Sequence, residues 1–279
     1  MKPAHWSTLT LVVTETLAVI VASRQLRFIE EENIGVPVVT AGPPLIYFFV
    51  AVAVMSLALA FLPLAALKFI AKALFLILYA WGVFVVLALP LSVYPAAVIA
   101  GAGALAWLKW PRLWLHNMLL GVALVGYASV FGFLVAPIVA LVLMAAISVY
   151  DLVSVRSGHM IWMVSKLSGV NIVPAFVFPL DAADWRLSIT DIKLDEPHEK
   201  AVSLLGGGDI GFSLIMVVAV LTAGGIGGAA VMAGFMLAGL LSVYWVQKIF
   251  YKGGPTAAMP PLTVAAAAGY GVLSLLSML

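Results

Sequence analysis

Apolar runs long enough to cross a bilayer recur along almost the whole chain, and this repetition limits the fold more than any motif does. A hydrocarbon core about 30 Å thick takes roughly 20 helical residues to span, so each run reads as a transmembrane helix. The chain has 279 residues, of which 65% are hydrophobic and only 9% charged, with a mean hydropathy of +1.19. That is too little charge to solvate the surface of a soluble domain of this length. The expected class is therefore an all-α polytopic membrane protein, with residues 1–279 forming a single integral membrane domain. A formal net charge of +2, with no basic cluster interleaved with aromatics, gives no basis for a nucleic-acid partner. The absence of cysteine removes a disulfide framework, a thiolate nucleophile and a cysteine-based metal site. Lys2 before an apolar stretch resembles a secretion signal, but Glu15 interrupts that stretch and no small-residue cleavage site precedes Arg24, so it reads as a retained first helix.

Nine spans can be drawn, at about 5–23, 43–64, 68–89, 92–109, 113–131, 133–155, 204–222, 225–247 and 258–279. Pro43-Pro44, Pro90, Pro111-Arg112 and Gly253-Gly254-Pro255 punctuate them, whereas the divisions near 131–133 and 222–225 carry no charge. Charge supplies an independent check. With the N-terminus in the cytoplasm and the C-terminus outside, twelve of the fourteen Lys and Arg fall on the cytoplasmic side, and only Arg24 and Arg27 fall outside. Cytoplasmic enrichment of this kind is the positive-inside bias of membrane proteins. Glu30, Glu31 and Glu32 fall on the outer side. The one long polar connection, 156–203, reads as a cytoplasmic loop. Its apolar stretch Gly169–Leu180 is too short to cross and is broken by Pro174 and Pro179; it lies on the membrane surface, folds back into the membrane or packs on the bundle.

Three carboxylates fall inside spans: Glu15, Asp151 and Asp209. Each costs at least about 2.5–3.5 kcal/mol in mid-membrane on insertion scales, so each needs a compensating arrangement. Asp151 lies near the cytoplasmic end of the sixth span and Asp209 near the cytoplasmic start of the seventh, both roughly 6–8 Å below the boundary at 1.5 Å per residue. Matched depth on sequential antiparallel helices lets the two meet. Two carboxylates sharing a low-dielectric site do not both ionise readily and hold one proton between them. One then takes a proton from water while the other donates to a carbonyl oxygen, the division of labour in aspartic proteases. The same pair would serve a proton- or ion-coupled transporter as a relay, and composition alone leaves both open.

The residues around the pair separate these readings. Tyr150-Asp151 in the sixth span and Gly206-Gly207-Gly208-Asp209 at the seventh resemble the YD and GxGD motifs of the presenilin and signal peptide peptidase family of intramembrane aspartyl proteases. The resemblance covers the nine spans and the long loop after the sixth. It implies that Asp151 and Asp209 are catalytic, that no cofactor or metal is needed, and that the substrates are transmembrane proteins within the lipid bilayer. Gly206, Gly207 and Gly208 bare the backbone beside Asp209, and such a strip can pair strand-like with an unwound substrate. The family's Pro-Ala-Leu motif before the ninth span corresponds here to Ala257-Ala258-Met259, followed by Pro260-Pro261; Ala257, Ala258, Met259 and Pro260 are the implied substrate-positioning residues. Orientation and the compact loop are most like an archaeal-type presenilin homologue, which would place a microbial chain in the plasma membrane. Oligomeric state is not legible.

Other signals carry less. Gly206-x-Gly208-x-x-Gly211 copies a dinucleotide fingerprint but follows a charged loop rather than a strand. His5, His116, His159 and His198 are scattered without a His-Glu-x-x-His pattern, and no Gly-x-Ser-x-Gly occurs. Glu15 is expected to be protonated or hydrogen-bonded to a neighbouring helix. The glycines of the eighth span (Gly224, Gly225, Gly227, Gly228, Gly234 and Gly239) are expected at close helix contacts, and Trp107, Trp110 and Trp114 as interface anchors.

Overall fold

In the computed structural model, residues 3–35, 42–159, 162–163, 172–191, 202–250, 256–276 and 279 are described. The helices are α1 (Pro3–Glu31), α2 (Gly42–Phe61), α3 (Leu64–Leu87), α4 (Val93–Lys109), α5 (Leu113–Leu134), α6 (Pro137–Arg156) and, at the end of the chain, α9 (Met259–Leu275). Between α6 and α9, Gly207–Phe250 forms 44 residues of helix broken at Gly225, whose φ of 66° and ψ of −169° are not helical. Beyond Gly225 the chain folds back, because a Cβ on Gly228 would lie 3.3 Å from the Val220 side chain. The arms 207–224 and 226–250 are accordingly α7 and α8. Unbroken, that stretch would measure about 66 Å at 1.5 Å per residue, twice the bilayer core. Among the described residues, with Gly207–Phe250 taken as one, six helices are long and apolar enough to cross a membrane; α4 and α9 are shorter apolar helices.

Helix boundaries depart from the hydropathy reading in several places, α3 for one opening at Leu64 rather than 68, and two of the departures change how the chain is read. The first span, drawn at 5–23, extends through Glu31, so Arg24, Arg27, Glu30 and Glu31 occupy the last turns of α1 rather than a loop. Arg24 and Arg27 are exposed there, and long side chains on a helix end reach the interface without ending the helix. The division placed at 131–133 falls instead at the extended residues Val135 and Ala136, with Pro137 opening α6 at a position that needs no amide partner.

Among the described residues, one two-stranded antiparallel sheet interrupts the helical architecture, a feature the all-α expectation lacked. Strand β1 (Ala175–Pro179) pairs with β2 (Val202–Gly206), with Ala175 opposite Gly206 and Pro179 opposite Val202. Both strands lie in what the sequence presents as the long loop and the start of the seventh span. Every residue of β1 is buried, so this part of the apolar stretch Gly169–Leu180 packs on the bundle, while 169–171 lie outside the described residues. Short 3-10 turns at Ala182–Arg186 and Ile189–Asp191 follow. Here Leu187 accepts from the Leu113 amide at 3.0 Å, satisfying a first-turn donor of α5 that the helix itself leaves free.

Helix α5 is enclosed by α1, α3 and α7. Its approaches to α3 and α7 are set by glycine. A Cβ on Gly126 would stand 2.1 Å from the Gly82 carbonyl oxygen, and one on Gly132 would stand 2.5 Å from Val218. Residue pairs across these contacts advance together, Leu120 meeting Gly207 and Leu124 meeting Gly211, so α5 and α7 run parallel. Across α8 and α9 the order reverses, with Gly239 against Leu262 and Ala265 but Gly269 against Phe235 and Met232. Alternating direction brings the C-terminal end of α6, the start of α7 and the start of α9 to one end of the bundle. Gly234, expected at a contact, has nothing within 4 Å of a Cβ placed on it.

Candidate active site

Asp151 is on α6, five positions before its last residue, and Asp209 is the third residue of α7. Both line one cavity of about 400 Å³, together with Tyr150, Gly208, Phe212 and Met259, and with Phe48, Ala51, Val52 and Met55 from α2. The two carboxylates are close enough for their charges to act on each other. Both are partly exposed, as groups on a cavity wall must be to meet a water molecule.

Each carboxylate is held by backbone amides. Met259 donates its N–H to Asp151 Oδ2 at 3.2 Å, and the Ala258 amide also donates to Asp151. These amides are available because they belong to the opening of α9, where no preceding turn supplies a carbonyl. One turn further into the membrane, the Ser148 and Thr263 hydroxyls lie 2.6 Å apart and both hydrogen-bond the Met144 carbonyl, pinning α6 to α9. Asp209 reaches back to the Gly206 amide, which immediately precedes α7. A carboxylate at the third helical position bonded to the residue before the helix is a capping arrangement, favoured further by the positive end of the helix dipole.

The three glycines beside Asp209 divide their work. A Cβ on Gly206 would lie 2.6 Å from Asp209 Oδ2, so only glycine leaves that carboxylate its place. A Cβ on Gly207 would lie 3.2 Å from the Pro174 carbonyl, which accepts from the Gly207 amide at 3.1 Å. Gly208 has nothing within 4 Å of its absent Cβ, is exposed, and faces the cavity.

Of the remaining sequence candidates, Ala257, Ala258 and Met259 are buried and Pro260 is half-buried in the first turn of α9. Tyr150 lies edge-to-face with Phe48 at a centroid distance of 6.0 Å, and Phe48 does the same with Phe212 at 6.4 Å. Thus α2, otherwise an exposed helix, contributes an aromatic wall to the cavity. Glu15 is 4% exposed on α1, and its Oε1 meets no hydrogen-bond partner among the described residues. It stays outside the cavity. Trp110 and Trp114 are exposed, but Trp107 is 3% exposed and packs at 5.1 Å on Tyr79, so it is a core residue and not the interface anchor expected.

Sequence reasoning missed the sheet and its support. Asn117 on α5 donates from Nδ2 to the Val177 carbonyl at 2.8 Å and accepts the Val177 amide at Oδ1 at 3.0 Å. His116, fully buried, lies 3.0 Å through Nε2 from the Ala175 carbonyl and 2.8 Å through Nδ1 from the Tyr79 hydroxyl. A carbonyl only accepts, so Nε2 carries the proton and, in the neutral ring, Nδ1 accepts from Tyr79. Consecutive polar residues at 116 and 117 within an apolar span were the available signal.

An alternating up-and-down helical bundle with two carboxylates in one cavity defines a polytopic membrane protein built around a paired-aspartate site. The same fold occurs in solved presenilin family intramembrane aspartate protease structures. One, in a P2 crystal form, is 23% identical with a TM-score of 0.60 and matches 96% of each chain. Another, in C222, is 20% identical with a TM-score of 0.58 and matches 95% of this chain and 94% of the other. No protein-family model matches the sequence, and no curated protein is significantly similar to it.

Proposed function

We propose that this protein is an intramembrane aspartyl protease, a hydrolase that cuts peptide bonds within transmembrane segments of membrane-protein substrates. The observation that carries the reading is the shared cavity of Asp151 and Asp209, each carboxylate anchored by backbone amides, in a fold like that of presenilin family proteases. Residues 1–279 act as one integral membrane domain of nine spans, N-terminus cytoplasmic and C-terminus outside, in the plasma membrane if the source is microbial.

In this mechanism one aspartate is ionised and takes a proton from a water in the cavity, while its protonated partner donates to the scissile carbonyl oxygen. Water oxygen bonds to the carbonyl carbon; collapse of the tetrahedral intermediate breaks the C–N bond, and a carboxyl returns a proton to the departing nitrogen. Tyr150 packs beside Asp151, Gly206 and Gly207 fix Asp209, and Ala257, Ala258, Met259 and Pro260 hold Asp151 and the approaching backbone.

A helical substrate must be unwound before attack, and its freed amides and carbonyls then need partners inside the membrane. Strand β2 supplies a place for them. Val177 gives both its backbone groups to Asn117, so Leu204 opposite it points its own away from β1, on an edge that no other described strand covers. An extended substrate segment adding there would run next to Gly208 and Asp209.

Purified protein in lipid vesicles is expected to cut a reporter containing a transmembrane segment, and Asp151→Ala and Asp209→Ala to abolish the cut. Substrate-dependent proton flux without proteolysis would instead favour a transporter.

A further inference from the structure

His116 and Asn117 lie outside the dyad cavity, and the proposed chemistry gives them no part. Yet these two polar side chains, next to each other on α5, are spent on the edge of a five-residue strand. Ala175 and Val177 are two apart, so their backbone groups face the same side of β1. Asn117 meets the amide and carbonyl of Val177 as a neighbouring strand would. His116 takes the Ala175 carbonyl and is itself anchored by Tyr79 on α3.

The consequence is a fixed register. Slipping β1 by one residue would turn Phe176 and Phe178, both fully buried, onto the opposite face. A two-residue slip in one direction would bring Pro179 to Asn117, and proline has no amide for Oδ1 to accept. With β1 held, Ala175 holds Gly206 opposite it, the Pro174 carbonyl holds the Gly207 amide, and Asp209 follows within the same helical turn.

We infer that Asn117 and His116 are positioning residues that determine which peptide bond is cut, by closing one edge of the sheet and setting the register of the other against Asp209. The inference rests on the protease reading. Because side chains of α5 fill the β1 edge, an added strand has only the β2 edge to join. The distance from Leu204 to the aspartates then measures off the scissile bond along the substrate. A register error would misplace the carbonyl by a residue step of about 3.3 Å.

The test is mass spectrometry of the products that the full chain makes from a transmembrane reporter in lipid vesicles. Asn117→Ala and His116→Ala are expected to move cuts to neighbouring bonds and to lower kcat at the wild-type bond by about 100-fold or more, since a misplacement near 1 Å already costs that much. His116→Gln, whose amide can still donate to the Ala175 carbonyl, is expected to restore the wild-type product ratio. Folded alanine variants that cut the same bonds in the same ratio at the same rate would overturn the inference. Should the alanine variants not fold, Asn117→Asp keeps the size and the acceptor but sets an acceptor against the Val177 carbonyl. Displaced cuts are expected from it, and an unchanged ratio overturns the inference. Wild type and Asp209→Ala run in the same vesicles separate the two readings. Cleavage lost in Asp209→Ala but unmoved in the Asn117 and His116 variants rejects only the positioning role; an inactive wild type rejects the protease reading on which it rests.

Discussion

At Gly206 the absence of a methyl group decides where the Asp209 carboxylate can stand. A Cβ there would meet Asp209 Oδ2 at 2.6 Å, whereas one on Gly208 meets nothing within 4 Å. Gly206→Ala is therefore expected to displace the carboxylate and lower kcat by roughly 10- to 100-fold with little change in melting temperature. Gly208→Ala should leave the melting temperature unchanged and lower kcat far less. Equal losses in the two variants, measured by reporter cleavage, would contradict this division. The pair of aspartates was legible in the sequence because a carboxylate in a membrane span is costly and demands a reason. The separate tasks of the glycines were not, since three identical residues in a row carry no sign of which faces a carboxylate, a carbonyl or a cavity. Nor could sequence show that the opening of α9 serves Asp151 through its amides, a role that any side chain would allow.

Among the elements, the helices were legible and the sheet was not. Spans announce themselves by length and apolarity, and even the turn at Gly225 follows from a run too long to cross once. Its φ of 66° with ψ of −169° belongs to a region open essentially only to glycine, so Gly225→Ala should cost about 1–3 kcal/mol in unfolding experiments. The α3–α5 crossing makes a second demand. With Gly126 placed against the Gly82 carbonyl, Gly126→Ala is expected to destabilise the fold by about 1–3 kcal/mol through forced separation of the two helices. A melting temperature equal to wild type would show that the helices are not so close. Strand β1 escaped notice because it is buried on every side, which erases the alternation that marks a half-buried strand. Its partner lies beyond a charged segment, a non-local pairing with no local signature. The end of α1 was misjudged because Arg24 and Arg27 look like loop residues, although long side chains tolerate the membrane edge.

For the molecule as a whole, alternating helices gather the ends of α6, α7 and α9 on one side, and the basic residues argue that this side is cytoplasmic. The chain lacks cysteine, so single substitutions report sidedness cleanly. Glu32→Cys is expected to react with an impermeant thiol reagent from outside intact cells, and Ser157→Cys only after permeabilisation; the opposite pattern would invert the topology. Under the proposed function, sidedness sets the membrane face near which substrates would be cut, but that function stands or falls on the two aspartates. The most direct measurement is the cleavage rate of a transmembrane reporter by vesicle-reconstituted wild type, Asp151→Asn and Asp209→Asn. Asparagine keeps the shape of each carboxyl and removes its acid–base chemistry. Wild type is expected to cut within the transmembrane segment and both variants, folded with unchanged melting temperature, to be inactive; cleavage by either variant at the wild-type rate would contradict the paired-aspartate mechanism.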